Sequence, residues 1–287
     1  MTSLQALSAD ILKEVITPRP VQSYKGTFGR CVLIGGNNQF GGAIIMATMA
    51  AVYAGTGLVT AATDPINITA LRTRLPEAMV IDYQDFNQLA TLLSSADSIV
   101  VGPGLGETET SLKILKFVFN QVHANQCLII DGSAITLVAN HHLTLPKAQI
   151  IFTPHEMEWQ RLSGIAIADQ TEVNNQAAQA KLGAMVMVKK HHTKIYTNQD
   201  VYQLTIGTPA QATGGMGDTL AGIVGAFTAQ FRTDYQKSAL AAVYAHSAIA
   251  EELAANQYVV LPTQISAQLP QFMHQISQPD ERPIGFI

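Results

Sequence analysis

The stretch TGGMGDTLAG, residues 213–222, places three glycines and one carboxylate before an apolar segment. Beyond Asp218, apolar residues recur at the spacing of one helix face: Leu220, Ile223, Val224 and Phe227. Asp218 is therefore predicted at or just inside the N-terminus of a helix, where backbone N–H groups are unpaired and the helix dipole is positive. Glycines in front of such a terminus allow the backbone to wrap around an anion, usually a phosphate.

A carboxylate at a helix N-terminus can also be an ordinary cap. A cap needs one side chain and no bare loop, so Gly214, Gly215 and Gly217 favour an anion hole instead. A phosphate held beside Asp218 is the arrangement for phosphoryl transfer to a hydroxyl. The carboxylate would accept the proton of that hydroxyl, and the N–H groups would stabilise the charge on the phosphoryl group.

Two better-known phosphate motifs are incomplete in this chain. Gly36 and Gly41 have the spacing of a Walker A loop, but Gly42 and Ala43 follow in place of Lys and Ser/Thr. The segment GPGLGE, residues 102–107, lacks the third glycine of the dinucleotide-binding fingerprint. Neither segment therefore forms a complete phosphate-binding motif of these two types.

Composition restricts the class of protein. The chain has 287 residues, a net charge of −4 and a pI near 6.0, with no basic tail, which argues against a nucleic-acid partner. We find no signal peptide and no apolar run long enough for a membrane helix, so a cytoplasmic protein is expected. With no evident linker, residues 1–287 are expected to form one domain.

Two further features of composition lead to expectations. Only 13% of the residues are charged, which predicts that some surface is buried between subunits. Cys31 and Cys127 each open an apolar, strand-like run. A disulfide between them is conceivable, but two buried free thiols are the preferred interpretation for a cytosolic protein.

Short apolar runs alternate with longer helical patterns. Strands are predicted at 30–36, 57–62, 98–104, 127–132, 148–155 and 184–190, with a hairpin formed by 194–198 and 201–205 around Gln199-Asp200. Helices are predicted at 42–54, 108–123, 155–163, 170–182, 217–230 and 236–255. This alternation predicts an α/β fold with a mostly parallel central sheet between helix layers. The tail from about residue 262 has no assignment.

Ligands in such folds bind beyond the carboxyl ends of the strands. Unusual residues follow the predicted strands at those ends: Gly35-Gly36, Gly102 to Gly106, Asp131, and Thr153-Pro154-His155. The sequence thus predicts a site at this edge of the sheet.

Several segments resemble known families. TGGMGDTLAGIVGAF, residues 213–227, resembles the anion-hole and catalytic-base motif of the ribokinase-like superfamily. The segment 31–62 is similar to the N-terminal part of the ADP-dependent (S)-NAD(P)H-hydrate dehydratases. VVGPGLG, IIDGSAI and FTPHEMEW resemble that family's GPGLG, DADAL and TPHPGE elements, in the same order. The resemblance covers about residues 20 to 255 and implies a ribokinase-like fold.

The resemblance implies repair of hydrated NADH or NADPH, with ADP or ATP as the phosphoryl donor and Mg²⁺ as the cofactor. It makes Asp218 the base on the substrate hydroxyl and Gly214, Gly215 and Gly217 the anion hole, with Gly217 also near the AMP moiety. It implies further contacts to the hydrate from Ala43, Gly104, Gly106 and His155. Asp131 and Glu158 are possible site residues, each with an ordinary structural role as the alternative.

Residues 189–193, KKHHT, resemble the family's KGxxT nucleotide loop. Lys189 and Thr193 match, whereas Lys190 replaces the usual glycine and His191-His192 are additional nucleotide-binding candidates. Consecutive residues in an extended segment point to opposite sides, which argues against a metal site at the two histidines. No carboxylate cluster identifies the metal ligands.

Two other functions are compatible with the sequence. An alcohol kinase of the same fold would use the same loop and base, and a non-catalytic nucleotide sensor would retain only the fold. The sequence does not distinguish ADP from ATP, or the NADH from the NADPH hydrate. The resemblance implies a homotetramer, and a separate epimerase is expected as the pathway partner.

Overall fold

One ten-stranded sheet runs through residues 4–278, the part of the chain that the computed structural model describes. The strands are β1 (Leu4–Ala6), β2 (Arg30–Ile34), β3 (Leu58–Thr63), β4 (Met79–Asp82), β5 (Ser98–Val101), β6 (Cys127–Ile130), β7 (Gln149–Phe152), β8 (Met185–Val188), β9 (Lys194–Tyr196) and β10 (Val201–Gln203). Their order is β1-β10-β9-β8-β7-β6-β5-β2-β3-β4. Neighbours are parallel except where β9 meets β8 and β10, which confirms a mostly parallel sheet.

The helices lie between these strands and after them. They are α1 (Asp10–Val15), α2 (Gly41–Tyr53), α3 (Ile68–Arg74), α4 (Phe86–Ser95), α5 (Glu109–Gln121), α6 (Ser133–Asn140), α7 (Glu156–Ser163), α8 (Glu172–Leu182), α9 (Met216–Gln230), α10 (Tyr235–Ala254) and α11 (Pro262–Ser277). All six predicted helices are present, with ends displaced by at most two residues. Among the described residues, no helix is both long and apolar enough to span a membrane.

The sheet separates two hydrophobic cores. Leu33 of β2 packs in the core shared with α2, α9, α10 and α11, whereas its neighbours Val32 and Ile34 pack in the core shared with α4 to α7. Alternate residues of a strand point to opposite faces, so apolar residues on both faces require helices on both sides. The predicted sheet between helix layers is confirmed.

Helix α9 is the central helix of its layer. Every residue from Thr219 to Ala229 is buried. A Cβ at Gly222 would lie 2.1 Å from the carbonyl oxygen of Ala47 in α2, and one at Gly225 would lie 2.4 Å from the Val100 side chain in β5. These glycines permit close packing of α9 between α2 and the sheet, which fixes the position of its N-terminus.

The two cysteines are free and buried, as predicted. Cys31 and Cys127 both pair with Ser98 of β5, from opposite sides. The Cα atoms of the two cysteines are therefore separated by two strand spacings of about 4.8 Å each. This distance is longer than the Cα separation of roughly 7 Å that a disulfide allows. Burial raises the pKa of both thiols, so neither is a reactive thiolate.

Two regions differ from the sequence interpretation. The hairpin exists, but Thr197 and Asp200 flank its turn through a 3.0 Å hydrogen bond, so its centre is Asn198-Gln199 rather than Gln199-Asp200. The unassigned tail forms α11, which begins with Pro262 at a position where proline suits a helix start. Its interior Pro270 obscures the helical pattern.

Candidate active site

The glycine loop ends in the cap of α9. Gly215 is the N-cap with φ +94°, a left-handed conformation that favours glycine, and Asp218 lies in the first helical turn as predicted. A Cβ at Gly215 would lie 2.4 Å from the Met46 side chain, whereas one at Gly214 would meet no atom within 4 Å. Gly215 is therefore required by the fold, and Gly214 faces open space.

Asp218 is partly buried at this terminus. Burial, helped by the negative charge of Asp131, raises its pKa to about 6, and the ammonium group of Lys189 opposes this shift. A carboxylate with such a pKa is ionised at neutral pH and is a stronger base than an ordinary aspartate. The position and the basicity of Asp218 both suit a general base.

The side chain of Lys189 lies against the glycine loop. Its Nζ is 2.8 Å from Oδ1 of Asp131 and would be 3.0 Å from a Cβ at Gly217. Burial opposes its charge, but attraction to Asp131 and Glu158 and the hydrogen bond to Asp131 leave the pKa of Lys189 raised. A permanent positive charge thus lies beside the predicted anion hole.

His155 and Glu158 close the N-terminus of α7. The backbone N–H of His155 donates to Oε2 of Glu158 at 2.8 Å, and Nδ1 of His155 accepts from the N–H groups of Met157 and Glu158. His155 is therefore the helix cap, yet 53% of its side chain is exposed. Glu158 is buried and close enough to Asp218 and Lys189 to affect their pKa values.

Ala43, Gly104 and Gly106 form a second group, where the loop after β5 meets the start of α2. A Cβ at Gly104 would lie 2.9 Å from that of Ala43 and 2.3 Å from the carbonyl oxygen of Phe40. Gly106 donates its N–H to Oγ of Ser133 at 3.1 Å. Because Ala43 lies one turn before Met46, which touches Gly215, this group adjoins the glycine loop.

Gly104→Ala is expected to lower the free energy of unfolding by about 1–3 kcal/mol, because φ +61° and the contact with Phe40 both exclude a side chain. Gly42→Ala, in the first turn of α2, is the matched control, since a Cβ there meets nothing within 4 Å. Urea denaturation of both variants measures the difference. Equal stabilities would contradict the close approach of these two segments.

The rest of the 189–193 segment forms the turn between β8 and β9. Lys190 pairs with Glu156 of α7 at 3.1 Å, and Nδ1 of His192 lies 3.2 Å from the carbonyl oxygen of Leu204. The left-handed residue of this turn is His192, with φ +59°, and not Lys190. Lysine in place of the family's glycine is thus compatible with the backbone here.

His246 of α10 did not stand out in the sequence. It is 6% exposed, and its Nε2 has no hydrogen-bond partner among the described residues. Its Nδ1 lies 3.5 Å from Nε2 of Gln211, just before the glycine loop. Burial and the positive charge of Lys189 lower the pKa of His246 to about 4, so the ring is neutral. A histidine inside an alanine-rich helix gives no local signal of this position.

Comparison with known proteins now identifies the family. The family model for NAD(P)H-hydrate dehydratase matches residues 31–271. The chain belongs to the NAD(P)H-hydrate dehydratase family. A relative from Lactiplantibacillus plantarum, named ADP-dependent (S)-NAD(P)H-hydrate dehydratase, is 54% identical over 98% of this chain and 100% of its own length.

Solved structures agree with membership of the dehydratase family. A ribokinase-like superfamily protein from Enterococcus faecalis is 50% identical, with a TM-score of 0.94 over 96% of this chain and 97% of its own. The ADP/ATP-dependent NAD(P)H-hydrate dehydratase from Bacillus subtilis, co-crystallised with ATP and Mg²⁺, is 25% identical, with a TM-score of 0.86 over 96% of this chain and 100% of its own. The ribokinase-like fold predicted from residues 213–227 is confirmed.

Proposed function

We propose that this protein dehydrates the S form of NAD(P)H hydrate to NAD(P)H, with ADP converted to AMP and phosphate. The observation that carries this proposal is Asp218, a carboxylate of raised pKa in the first turn of α9, between a bare glycine loop and the ammonium group of Lys189. The names of the close relatives in this dehydratase family supply the substrate and the donor.

In the first step, Asp218 accepts the proton of the substrate hydroxyl, and the hydroxyl oxygen attacks the terminal phosphorus of ADP. The bond between that phosphorus and the AMP oxygen breaks. Gly214, Gly215 and Gly217 surround the phosphoryl group with backbone N–H groups, and Lys189 adds a positive charge.

In the second step, the phosphorylated carbon loses phosphate. The ring nitrogen supplies an electron pair, the carbon–oxygen bond breaks, and a proton from the neighbouring ring carbon goes to solvent. The balance is hydrate plus ADP giving NAD(P)H, AMP, phosphate and one proton, which Asp218 passes on to solvent. A poor leaving group, hydroxide, has become a good one, which is the chemical reason for using a nucleotide.

The remaining candidates take binding roles in this proposal. Ala43, Gly104, Gly106 and His155 contact the hydrate at the start of α2 and the cap of α7. Lys189, Gly217 and the turn at 190–193 contact the nucleotide; that turn contributes Lys190, His191, His192 and Thr193. The exposed half of His155 supports its role, because the ring can cap α7 and still present one face to a ligand.

The side chains at the carboxyl edge of the sheet show whether the site could bind Mg²⁺. Within residues 4–278, no three His, Cys, Asp or Glu side chains are grouped to hold a metal ion. Mg²⁺ commonly keeps several waters and binds through one or two carboxylates plus substrate phosphates, so a dedicated cluster is not required. The ADP phosphates and waters would supply most of its ligands, with Glu158 as the nearby carboxylate, and it would neutralise phosphate charge.

Product analysis tests the proposed function. With prepared (S)-NADH hydrate, Mg²⁺ and ADP, we expect NADH, AMP and phosphate to form in equal amounts. A stable phosphorylated product with no return of NADH would instead assign the site to an alcohol kinase of the same fold. Replacing ADP with ATP in a parallel reaction identifies the preferred donor.

The rate is expected to depend on pH through Asp218. Its pKa is raised to about 6, and only the ionised form accepts a proton. The value of kcat/KM should therefore be constant above pH 7 and fall about tenfold per unit below pH 6. A profile measured from pH 4.5 to 8.5 that stays flat down to pH 5 would contradict the assignment of the base.

Two expectations concern partners. The relatives act on the S form, so a hydrate of the opposite configuration requires a separate epimerase to supply substrate. A homotetramer is proposed from the family resemblance and from the low charged share of 13%. Size-exclusion chromatography with light scattering tests the assembly, and elution at monomer mass would overturn it.

A further inference from the structure

We propose that Asp131 is a positioning residue that holds the ammonium group of Lys189 over the glycine loop, with Thr153 fixing the carboxylate. The geometry of these three side chains is independent of any substrate. Its consequence for catalysis rests on the proposed function.

The three residues come from neighbouring parallel strands. Asp131 directly follows β6, Thr153 directly follows β7, and Lys189 directly follows β8. The strand order β8-β7-β6 brings their side chains to one edge of the sheet. The hydroxyl of Thr153 donates to Oδ1 of Asp131 at 2.6 Å, and Nζ of Lys189 donates to the same oxygen at 2.8 Å.

Burial makes this arrangement rigid. Asp131 is 2% exposed and Thr153 is fully buried, so the carboxylate has no room to turn away from its two donors. Lys189 has a flexible four-carbon side chain that is 22% exposed. Its backbone is held by a 2.7 Å hydrogen bond from its N–H to the carbonyl oxygen of Pro154, and Asp131 anchors the other end.

The hydrogen bond to Asp131 determines which carboxylate the ammonium group of Lys189 neutralises. Three carboxylates face it: Asp131 at the end of β6, Glu158 on α7 and Asp218 on α9. His246 on α10 faces it as a neutral ring. Direct pairing with Asp218 would lower the basicity that the reaction needs. Pairing with Asp131 keeps the charge beside Gly217 for the phosphates and leaves Asp218 free to accept a proton.

The test is a double-mutant cycle with Asp131→Asn and Lys189→Met, using ADP affinity measured by calorimetry. Asp131→Asn is expected to weaken ADP binding about tenfold when Lys189 is present, because the cation is no longer held at the loop. With methionine at 189, the same substitution should not weaken ADP binding, since it then only removes a negative charge. An equal loss in both backgrounds would overturn the proposal.

The pH profile of kcat/KM is the second readout. Asp131→Asn should move the fall of kcat/KM at low pH (the acid limb) to still lower pH. The substitution removes one negative charge near Asp218 and releases Lys189 toward it, and both effects lower the pKa of Asp218. Thr153→Val keeps the Asp131 charge, so it should leave that limb in place while weakening ADP binding about threefold. An unchanged limb in Asp131→Asn, or unchanged ADP affinity in Thr153→Val, would also overturn the proposal.

Failure of the proposed function would give a different result. A wild-type protein that binds ADP but does not restore NADH from its hydrate would contradict the dehydratase reaction. The affinity cycle for Asp131 and Lys189 would still be measurable on that protein, because it requires only ADP and the folded chain.

Discussion

Asp218→Asn is expected to lower kcat for hydrate dehydration by about 10³-fold while ADP still binds. Asparagine has nearly the same shape but cannot accept the hydroxyl proton at neutral pH. The glycine loop and Lys189 remain in place, so the nucleotide keeps its contacts. Steady-state kinetics together with ADP calorimetry separates loss of the base from loss of the site.

The fold of this variant should not be weakened at neutral pH. The pKa of Asp218 in the folded protein, about 6, lies above that of an ordinary aspartate. The folded protein therefore binds this proton more tightly than the unfolded chain does. Protonated Asp218 stabilises the fold at low pH, and this stabilisation is lost as the pH rises through about 6. At pH 7.5 the ionised carboxylate is disfavoured in the folded state, and asparagine removes that cost. Thermal denaturation of the variant checks the direction.

Asp234→Asn is the matched control. Asp234 is also a carboxylate at a helix N-terminus, but it only caps α10 by accepting from the N–H groups of Gln236 and Lys237. Asparagine is an equally good cap, so activity and stability should be unchanged. If Asp218→Asn and Asp234→Asn lost activity to a similar extent, Asp218 would be no more than a helix cap, and its assignment as the base would be wrong.

Gly214→Ala is expected to reduce kcat/KM by about 10²-fold without changing the melting temperature. A Cβ at Gly214 meets no protein atom within 4 Å, so the protein itself tolerates the methyl group. A phosphoryl group bound against this loop, as proposed, would be obstructed by it. Any loss of activity then reports on a ligand and not on the fold. The melting temperature and the ADP affinity of the same preparation measure the two effects separately.

Gly215→Ala provides the contrast within the same loop. Its φ of +94° and the nearby Met46 side chain exclude a methyl group, so this variant should lose stability. A melting temperature lowered for Gly215→Ala but not for Gly214→Ala supports the division of roles between the two glycines. Wild-type activity in Gly214→Ala would contradict an anion hole at this position.

The local part of the site was predictable from the sequence. The position of Asp218 in the first turn of α9 follows from the spacing of Leu220, Ile223, Val224 and Phe227, because helix periodicity is a short-range property. The strands preceding Asp131 and Lys189 were equally evident as apolar runs. These patterns also predicted that the site lies at the carboxyl edge of the sheet.

The pairing across the sheet was not predictable from local patterns. Asp131 and Lys189 are 58 positions apart, and nothing near either residue specifies the other. Their contact depends on the strand order, which places β6, β7 and β8 side by side. Thr153 was noted only as part of a strand end, because a threonine there has many ordinary uses. Its hydroxyl acquires a role only once Asp131 is in place.

Several short elements were also missed. Strand β1 has three exposed residues and therefore lacks the apolar signal of a buried strand. Strand β4 is only partly buried, and α3 has a single buried residue, Leu71, so neither shows a strong period. The helices α4 and α6 have only ten and eight residues, so each shows the helical period over fewer turns than the longer segments nearby. Tertiary packing, rather than local sequence, stabilises such elements.

Recovery of the NADH absorbance band from prepared NADH hydrate tests the central claim most directly. The reaction would be run with Mg²⁺ and ADP, with Mg²⁺ and ATP, and without nucleotide, on the wild type and on Asp218→Asn. We predict recovery that requires a nucleotide and is lost in the variant. Recovery without nucleotide, equal recovery in the variant, or no recovery with either nucleotide would contradict the account.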